Sequence, residues 1–284
     1  MSSALITYEP PRPPSEFDAA FADFLRVDVA NGDASPHTVT NYRNEVETWV
    51  VWCAQQDFNP AAATVNHIKR YRSALIEADY APVTIRWKLT IIRRFYEAAR
   101  NAGLRNDNPA AGVRGPRVRQ ATEDFKYLCD EELGRLLAVL PDPGQAQGTE
   151  KVTRLRDLLM VMMMSLQALR TIEVYRANVE DLTQKGEHLA LLVRGKTRDR
   201  LVYLRPDVAA RMKEYLALRG EVERDDIGTP VFAALRRHWR RLSCRGIRTH
   251  TDRYLREVGL KRPGISNHAL RHTAATLGYL HTGD

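Results

Sequence analysis

At 284 residues the chain is long enough for two domains that each bury a core, and its 43 lysines and arginines against 35 acids leave a net charge of +8. That balance favours a polyanionic partner, nucleic acid foremost. No run of 18 uncharged apolar residues reaches bilayer length, and the proline-rich residues 1–14 lack the layout of a secretion signal. Three scattered cysteines (Cys53, Cys129, Cys244) with no Cys-x-x-Cys pair argue against a disulfide framework or zinc site and for a reducing cytoplasm.

Taken in chain order, Ser15 opens an amphipathic helix with Phe17, Phe21, Phe24 and Leu25 at helical spacing. Ser35-Pro36 supplies an N-cap and a proline at the first helical position, and Val39, Tyr42, Val46, Trp49 and Val50 then share one face. Thr64 begins a third helix that carries Lys69, Arg70 and Arg72. A fourth, from about Pro82 to Ala102, has Ile85, Leu89, Ile92, Phe95 and Tyr96 as its apolar stripe and Arg86, Lys88 and Arg93 among its cations. Four such helices predict an all-α bundle over residues 15–106, after a flexible tail at 1–14. The Asn108–Arg117 stretch, with two prolines and two glycines, breaks all periodicity and predicts an exposed linker at 107–124.

The second half, residues 125–284, is mixed. Asp130 is placed to cap a helix through Leu140, a glycine-rich loop follows to Thr149, and a strongly apolar helix covers residues 155–169. Its Met160, Met162, Met163 and Met164 suit core filling. Residues 187–193 and 200–204 predict two strands of a hairpin joined at Gly195-Lys196-Thr197-Arg198-Asp199, and Pro206 starts further helices. The fold class is therefore mainly α, with one small antiparallel sheet in the second domain.

Gly195-Lys196-Thr197 is not a P-loop, because the glycine needed five positions earlier is Ala190. A hairpin tip with Lys196, Arg198 and Arg200 suits a nucleic-acid backbone instead. His268 and His272 stand four apart, as zinc ligands on a helix do, but Ala269 replaces the necessary glutamate, so no metal is expected. Between positions 236 and 256 there are eight arginines, including Arg240, Arg241, Arg245 and Arg248, and one acid, Asp252. A solvated helix face would intersperse acids, so this run predicts phosphate contacts.

The order of these motifs resembles the tyrosine recombinase (phage integrase) family. Ser35-Pro36-His37-Thr38 with Tyr42, Val83-Thr84-Ile85-Arg86 with Phe95-Tyr96, and Asn108-Pro109-Ala110 are similar to its SAM-like core-binding domain and linker. Tyr127-Leu128 with Asp130-Glu131-Glu132 resembles the start of its catalytic domain. Arg170, Lys196, His268 and Arg271 match the family's first arginine, hairpin lysine, histidine and second arginine, and Glu173 and His272 match the supporting positions. The resemblance implies phosphoryl transfer with neither metal nor cofactor. The arginines would hold the scissile phosphate, Lys196 would protonate the leaving 5′ oxygen, His268 would assist, and a tyrosine would form a 3′-phosphotyrosyl link.

The family's nucleophilic tyrosine follows the His-x-x-Arg motif, and the resemblance places it beyond Asp284. Tyr279 stands eleven residues after His268, roughly 16 Å along a helix axis, and suits apolar packing better than attack. The leading expectation is a site-specific recombinase or integrase without its nucleophile segment, its cleavage activity lost in this chain alone. A DNA-binding protein that occupies recombination sites without cutting is the alternative, and a nuclease or topoisomerase using the same residues a third. The implied partner is double-stranded DNA in the nucleoid, with no membrane. The parent would be tetrameric on DNA and this chain monomeric in solution.

Overall fold

A computed structural model describes residues 13–117, 126–140, 144, 146–195, 198–234 and 240–283. The chain divides into two compact units, Met1–Ala121 and Thr122–Asp284.

The first unit is built from α1 (Ser15–Val27), α2 (Pro36–Gln55), α3 (Val65–Glu77) and α4 (Pro82–Asn101). Ser35 Oγ accepts from the Thr38 amide at 3.2 Å, and prolines stand in the first turn of both α2 and α4, where a missing N–H costs no helix bond. The helices close on Trp49, Tyr71, Phe95 and Tyr96, all but fully buried, with Ile68, Ile85, Leu89 and Ile92 around them. Trp49 Nε1 donates to Tyr96 Oη at 3.0 Å, and Tyr96 Oη donates to the Pro60 carbonyl at 2.8 Å. The chain after α4 is less exposed than its prolines and glycines predict. Ala110 and Val113 join the core, and Arg93 donates to both of their carbonyls, at 3.2 and 3.1 Å.

The second unit packs its helices around α6 (Gly148–Ser165), whose Leu155, Leu159, Met163 and Met164 are fully buried. The others are α5 (Asp130–Val139), α7 (Thr171–Arg176), α8 (Pro206–Arg219), α9 (Cys244–Glu257) and α10 (Asn267–Thr282). The expected hairpin is part of a three-stranded antiparallel sheet in the order β1 (Leu182–Lys185), β2 (His188–Val193), β3 (Arg200–Tyr203). Ala190 pairs with Thr183 on one side and Tyr203 on the other. Gly186, at φ +59°, makes the two-residue turn between β1 and β2, in the left-handed region that glycine occupies without a Cβ clash. A two-residue ladder joins β4 (Ala233–Ala234) to β5 (Arg240–Arg241).

Candidate active site

The end of α6 is shaped to deliver an arginine. The Met162 carbonyl accepts from the amides of Leu166 and Gln167, and the Met163 carbonyl from Leu169. Ala168 then turns the chain at φ +55°, a left-handed conformation that costs an L-residue about 1 kcal/mol, and Arg170 follows as the N-cap of α7. Three residues on, Glu173 reaches back so that its Oε2 accepts from the Arg170 amide at 2.7 Å.

The buried carboxylate of Glu173 gathers three guanidiniums. Arg170 Nη1 donates to Oε1 at 2.9 Å, Arg200 donates through Nη1 and Nη2 at 2.8 and 2.9 Å, and Arg271 Nη1 lies 3.5 Å from Oε2. Arg271 Nη1 also donates to the carbonyl of Ala168, so the strained turn fixes the second arginine as well as the first. Burial works to raise the Glu173 pKa, but the hydrogen bonds from Arg200 and Arg170 and the Arg200 charge outweigh it and bring it down to about 2. Burial, then the neighbouring charge of Arg170, lowers the Arg271 pKa. Three cations on one carboxylate leave a surplus of positive charge.

That surplus faces a cleft of about 560 Å³ lined by Arg170, Arg248, Asn267, His268 and Arg271 among others. His268 is carried on the first turn of α10, where backbone N–H groups have no partner within the helix, and Arg271 follows one turn on. The His268 and His272 rings meet edge to face with centroids 4.4 Å apart. Burial, then the proximity of His268 and Arg271, lowers the His272 pKa and so favours its neutral form.

Of the residues singled out from sequence, Arg170, His268, Arg271 and Arg248 come together in this cleft, with Glu173 beneath them. Lys196 lies outside the described residues, as do Arg236 and Arg237. Arg198, Arg240 and Arg245 are exposed. Arg241 needs correcting as a phosphate contact. Its side chain is 5% exposed and its guanidinium bonds Asp225, Asn178 and the carbonyls of Tyr175 and Gly228, so it ties β5 to the unit's interior. Lys88 needs the same correction, because it is buried with Nζ 2.6 Å from Glu45 Oε2. Lys69, Arg70 and Arg86 are exposed, while Arg72 and Arg93 are half-buried and donate to the backbone after α4. Tyr279 does not pack as expected but is 62% exposed on α10.

Sequence reasoning missed two features. Arg200 opens the second strand of the hairpin as expected, but it turns onto Glu173 rather than standing with the basic side chains offered to a nucleic-acid backbone. Asp157, fully buried in α6, accepts from Arg156, from Tyr254 Oη at 3.0 Å and from Arg253 at 3.1 Å, and lies 3.1 Å from His250 Nδ1. The Arg156-Asp157 pair directly ahead of the apolar run 158–164 was the available signal.

The description of the phage integrase family matches residues 126–279, and that of the phage integrase N-terminal SAM-like domain matches residues 21–103. The chain belongs to the phage integrase family. Within it, tyrosine recombinase XerD of Brucella suis biovar 1 (strain 1330) is 26% identical over 263 residues, which cover 90% of this chain and 82% of that protein. The fold is that of XerH site-specific recombinase bound to palindromic difH substrate in a post-cleavage complex, with TM-score 0.68 at 14% identity over 95% of this chain and 74% of that one. It is also that of a lambda integrase tetramer bound to a Holliday junction, with TM-score 0.67 at 14% identity over 94% of this chain and 73% of that one.

Proposed function

We propose that the chain serves site-specific DNA recombination, binding double-stranded DNA and gripping one phosphodiester between Arg170 and Arg271. The observation that carries this reading is the buried Glu173 carboxylate. It orients guanidiniums from three separate elements, and the cleft they border keeps excess positive charge. Guanidiniums suit the task because paired N–H groups match non-bridging oxygens and stay charged at any working pH. As a tyrosine oxygen gives up its proton and bonds to phosphorus, the P–O5′ bond breaks and the 5′ oxygen takes up a proton from Lys196. Arg170 and Arg271 stabilise the charge that grows on the phosphoryl oxygens, and His268 assists the proton's movement. The 3′-phosphotyrosyl link then keeps the energy of the broken bond for rejoining. The chain works in the nucleoid; it is monomeric in solution, and its full-length parent pairs two duplex sites within a tetramer on DNA.

A second reading is occupancy of such sites without cleavage. It is favoured by the lining of the cleft, which contains no tyrosine among the described residues, and by the exposure of Tyr279 on α10. Selection of bound duplexes from a random pool, followed by incubation of the selected site with this chain and with a C-terminally extended one, separates the readings. A sequence-selective site and a denaturant-resistant protein–DNA adduct support recombination. Selective binding without adduct from either chain supports occupancy. Duplex binding without sequence preference counts against both. Arg170→Ala and Arg271→Ala should each abolish the adduct and weaken duplex binding by less than about tenfold, since that affinity is spread over many phosphate contacts.

A further inference from the structure

Asn267 is the first residue of α10 and one of the walls of the arginine-lined cleft. It is 5% exposed, and among the described residues neither its Nδ2 nor its Oδ1 has a hydrogen-bond partner. The preceding Ser266, the N-cap residue, makes no side-chain cap bond either, so the amides that open α10 are not claimed by the usual local acceptor. Local packing gives no reason for a carboxamide here. A leucine of similar size would fill the same space without leaving two polar atoms stripped of water, which is a net loss to the folded state. Buried polar atoms without partners are rare enough that each calls for an explanation.

The surroundings indicate what would supply the partner. Arg170, Arg248 and Arg271 border the same cleft, the carboxylate on its wall, Asp252, is ion-paired to Lys261 at 2.6 Å, and the N-terminus of a sixteen-residue helix opens into it, so the field there favours an anion. We infer that Asn267 is a phosphate-binding residue of this cleft. Both atoms are closed off from solvent in the free chain, so the carboxamide turns toward the cleft as phosphate enters, its Nδ2 then donating to a non-bridging oxygen and its Oδ1 accepting from the water or hydroxyl that enters with it. The unpaired state is the unliganded one. Stability given up at Asn267 in the free protein is recovered when the phosphate arrives, so the residue favours the DNA-bound state over the free state. This inference rests on the reading of the cleft as a phosphate site.

The test uses the 284-residue chain and inorganic phosphate, with melting temperature and phosphate affinity measured for the unsubstituted protein, Asn267→Leu, Arg170→Ala and Arg271→Ala. Asn267→Leu is expected to raise the melting temperature in the absence of phosphate by about 2–4 °C and to weaken phosphate binding about tenfold. A structural asparagine would behave in the opposite way, with a lower melting temperature and unchanged affinity, and that result overturns the inference. If the arginine variants lose phosphate affinity and Asn267→Leu does not, the cleft stands and the role of Asn267 falls. If all three bind phosphate like the unsubstituted chain, the phosphate cleft itself falls. A second measurement needs no substitution. The side-chain amide signals of Asn267, followed by ¹⁵N nuclear magnetic resonance, should shift in proportion to phosphate occupancy, and signals that stay still at saturating phosphate also overturn the inference.

Discussion

Arg200 meets Glu173 fork to fork, Nη1 to Oε1 at 2.8 Å and Nη2 to Oε2 at 2.9 Å, across 27 residues of sequence. The pairing occupies both carboxylate oxygens from the sheet side and leaves Arg170 and Arg271 to approach from the helices. Arg200 is therefore a positioning residue, and its planar geometry matters as much as its charge. Arg200→Lys keeps the charge but loses the second hydrogen bond, and should cost about 1–2 kcal/mol of stability in urea denaturation. It should also loosen the cleft, seen as weaker phosphate binding. A variant with unchanged stability would mean that the sheet contributes nothing to holding Glu173.

The depressed pKa of Glu173 makes stability depend on pH in a defined window. A carboxyl at about 2 in the folded chain and near its usual 4.5 when unfolded stabilises the fold fully above pH 5, and this contribution is lost as pH falls from 5 towards 2. Its size is on the order of 3 kcal/mol. Glu173→Gln cannot titrate, so the stability difference between the two chains should shrink steadily across that window and be constant above it. Urea denaturation at pH steps from 7 to 2.5 measures it. A difference independent of pH would show that the carboxylate carries no such linkage.

What sequence could and could not show follows from the range of the interactions. Helices α2, α4 and α8 announce themselves because Pro36, Pro82 and Pro206 act on their own first turns and the apolar stripes are local. Strand β1 was missed because Leu182-Thr183-Gln184-Lys185 has no apolar alternation and gains its structure from pairing with β2. The arginine run shows the same limit. Arg241 and Arg245 look alike as charges, and only Asp225, 16 residues away, and Asn178, 63 away, bury one of them. The order of Arg170, His268 and Arg271 along the chain was legible. Their common anchor on Glu173, and the part of Arg200 in it, was not.

The contrast between Arg241 and Arg245 can be measured. Arg241→Ala leaves Asp225 and several backbone carbonyls without their donor, and should lower stability by about 2–4 kcal/mol while the salt dependence of DNA binding keeps its slope. Arg245→Ala, at an exposed position on α9, should leave stability within about 0.5 kcal/mol and reduce the slope of log affinity against log salt by about one. Affinity titrations at several salt concentrations, with urea denaturation alongside, provide both quantities. A reduced slope for Arg241→Ala in a folded protein would return that residue to the DNA interface.

In the first unit, the chain of hydrogen bonds from Trp49 through Tyr96 to Pro60 lies in the core. Tyr96→Phe keeps the ring and its edge-on contacts with Trp49 and Phe95, so the change is confined to the hydroxyl. The Pro60 carbonyl retains the Ala63 amide as a donor, at 3.1 Å, whereas Trp49 Nε1, in a residue with no exposed surface, loses its acceptor. Leaving one buried donor unpaired costs about 1–3 kcal/mol. Trp49, Trp52 and Trp87 all belong to this unit, so the loss should appear as an earlier urea transition in tryptophan fluorescence. Adding Trp49→Phe removes the orphaned donor but also opens a cavity, so the two effects oppose each other. If the hydrogen bond matters, the double variant should lie closer to Trp49→Phe alone than the sum of the two single losses. Simple additivity would show that the Tyr96 hydroxyl contributes nothing through Trp49.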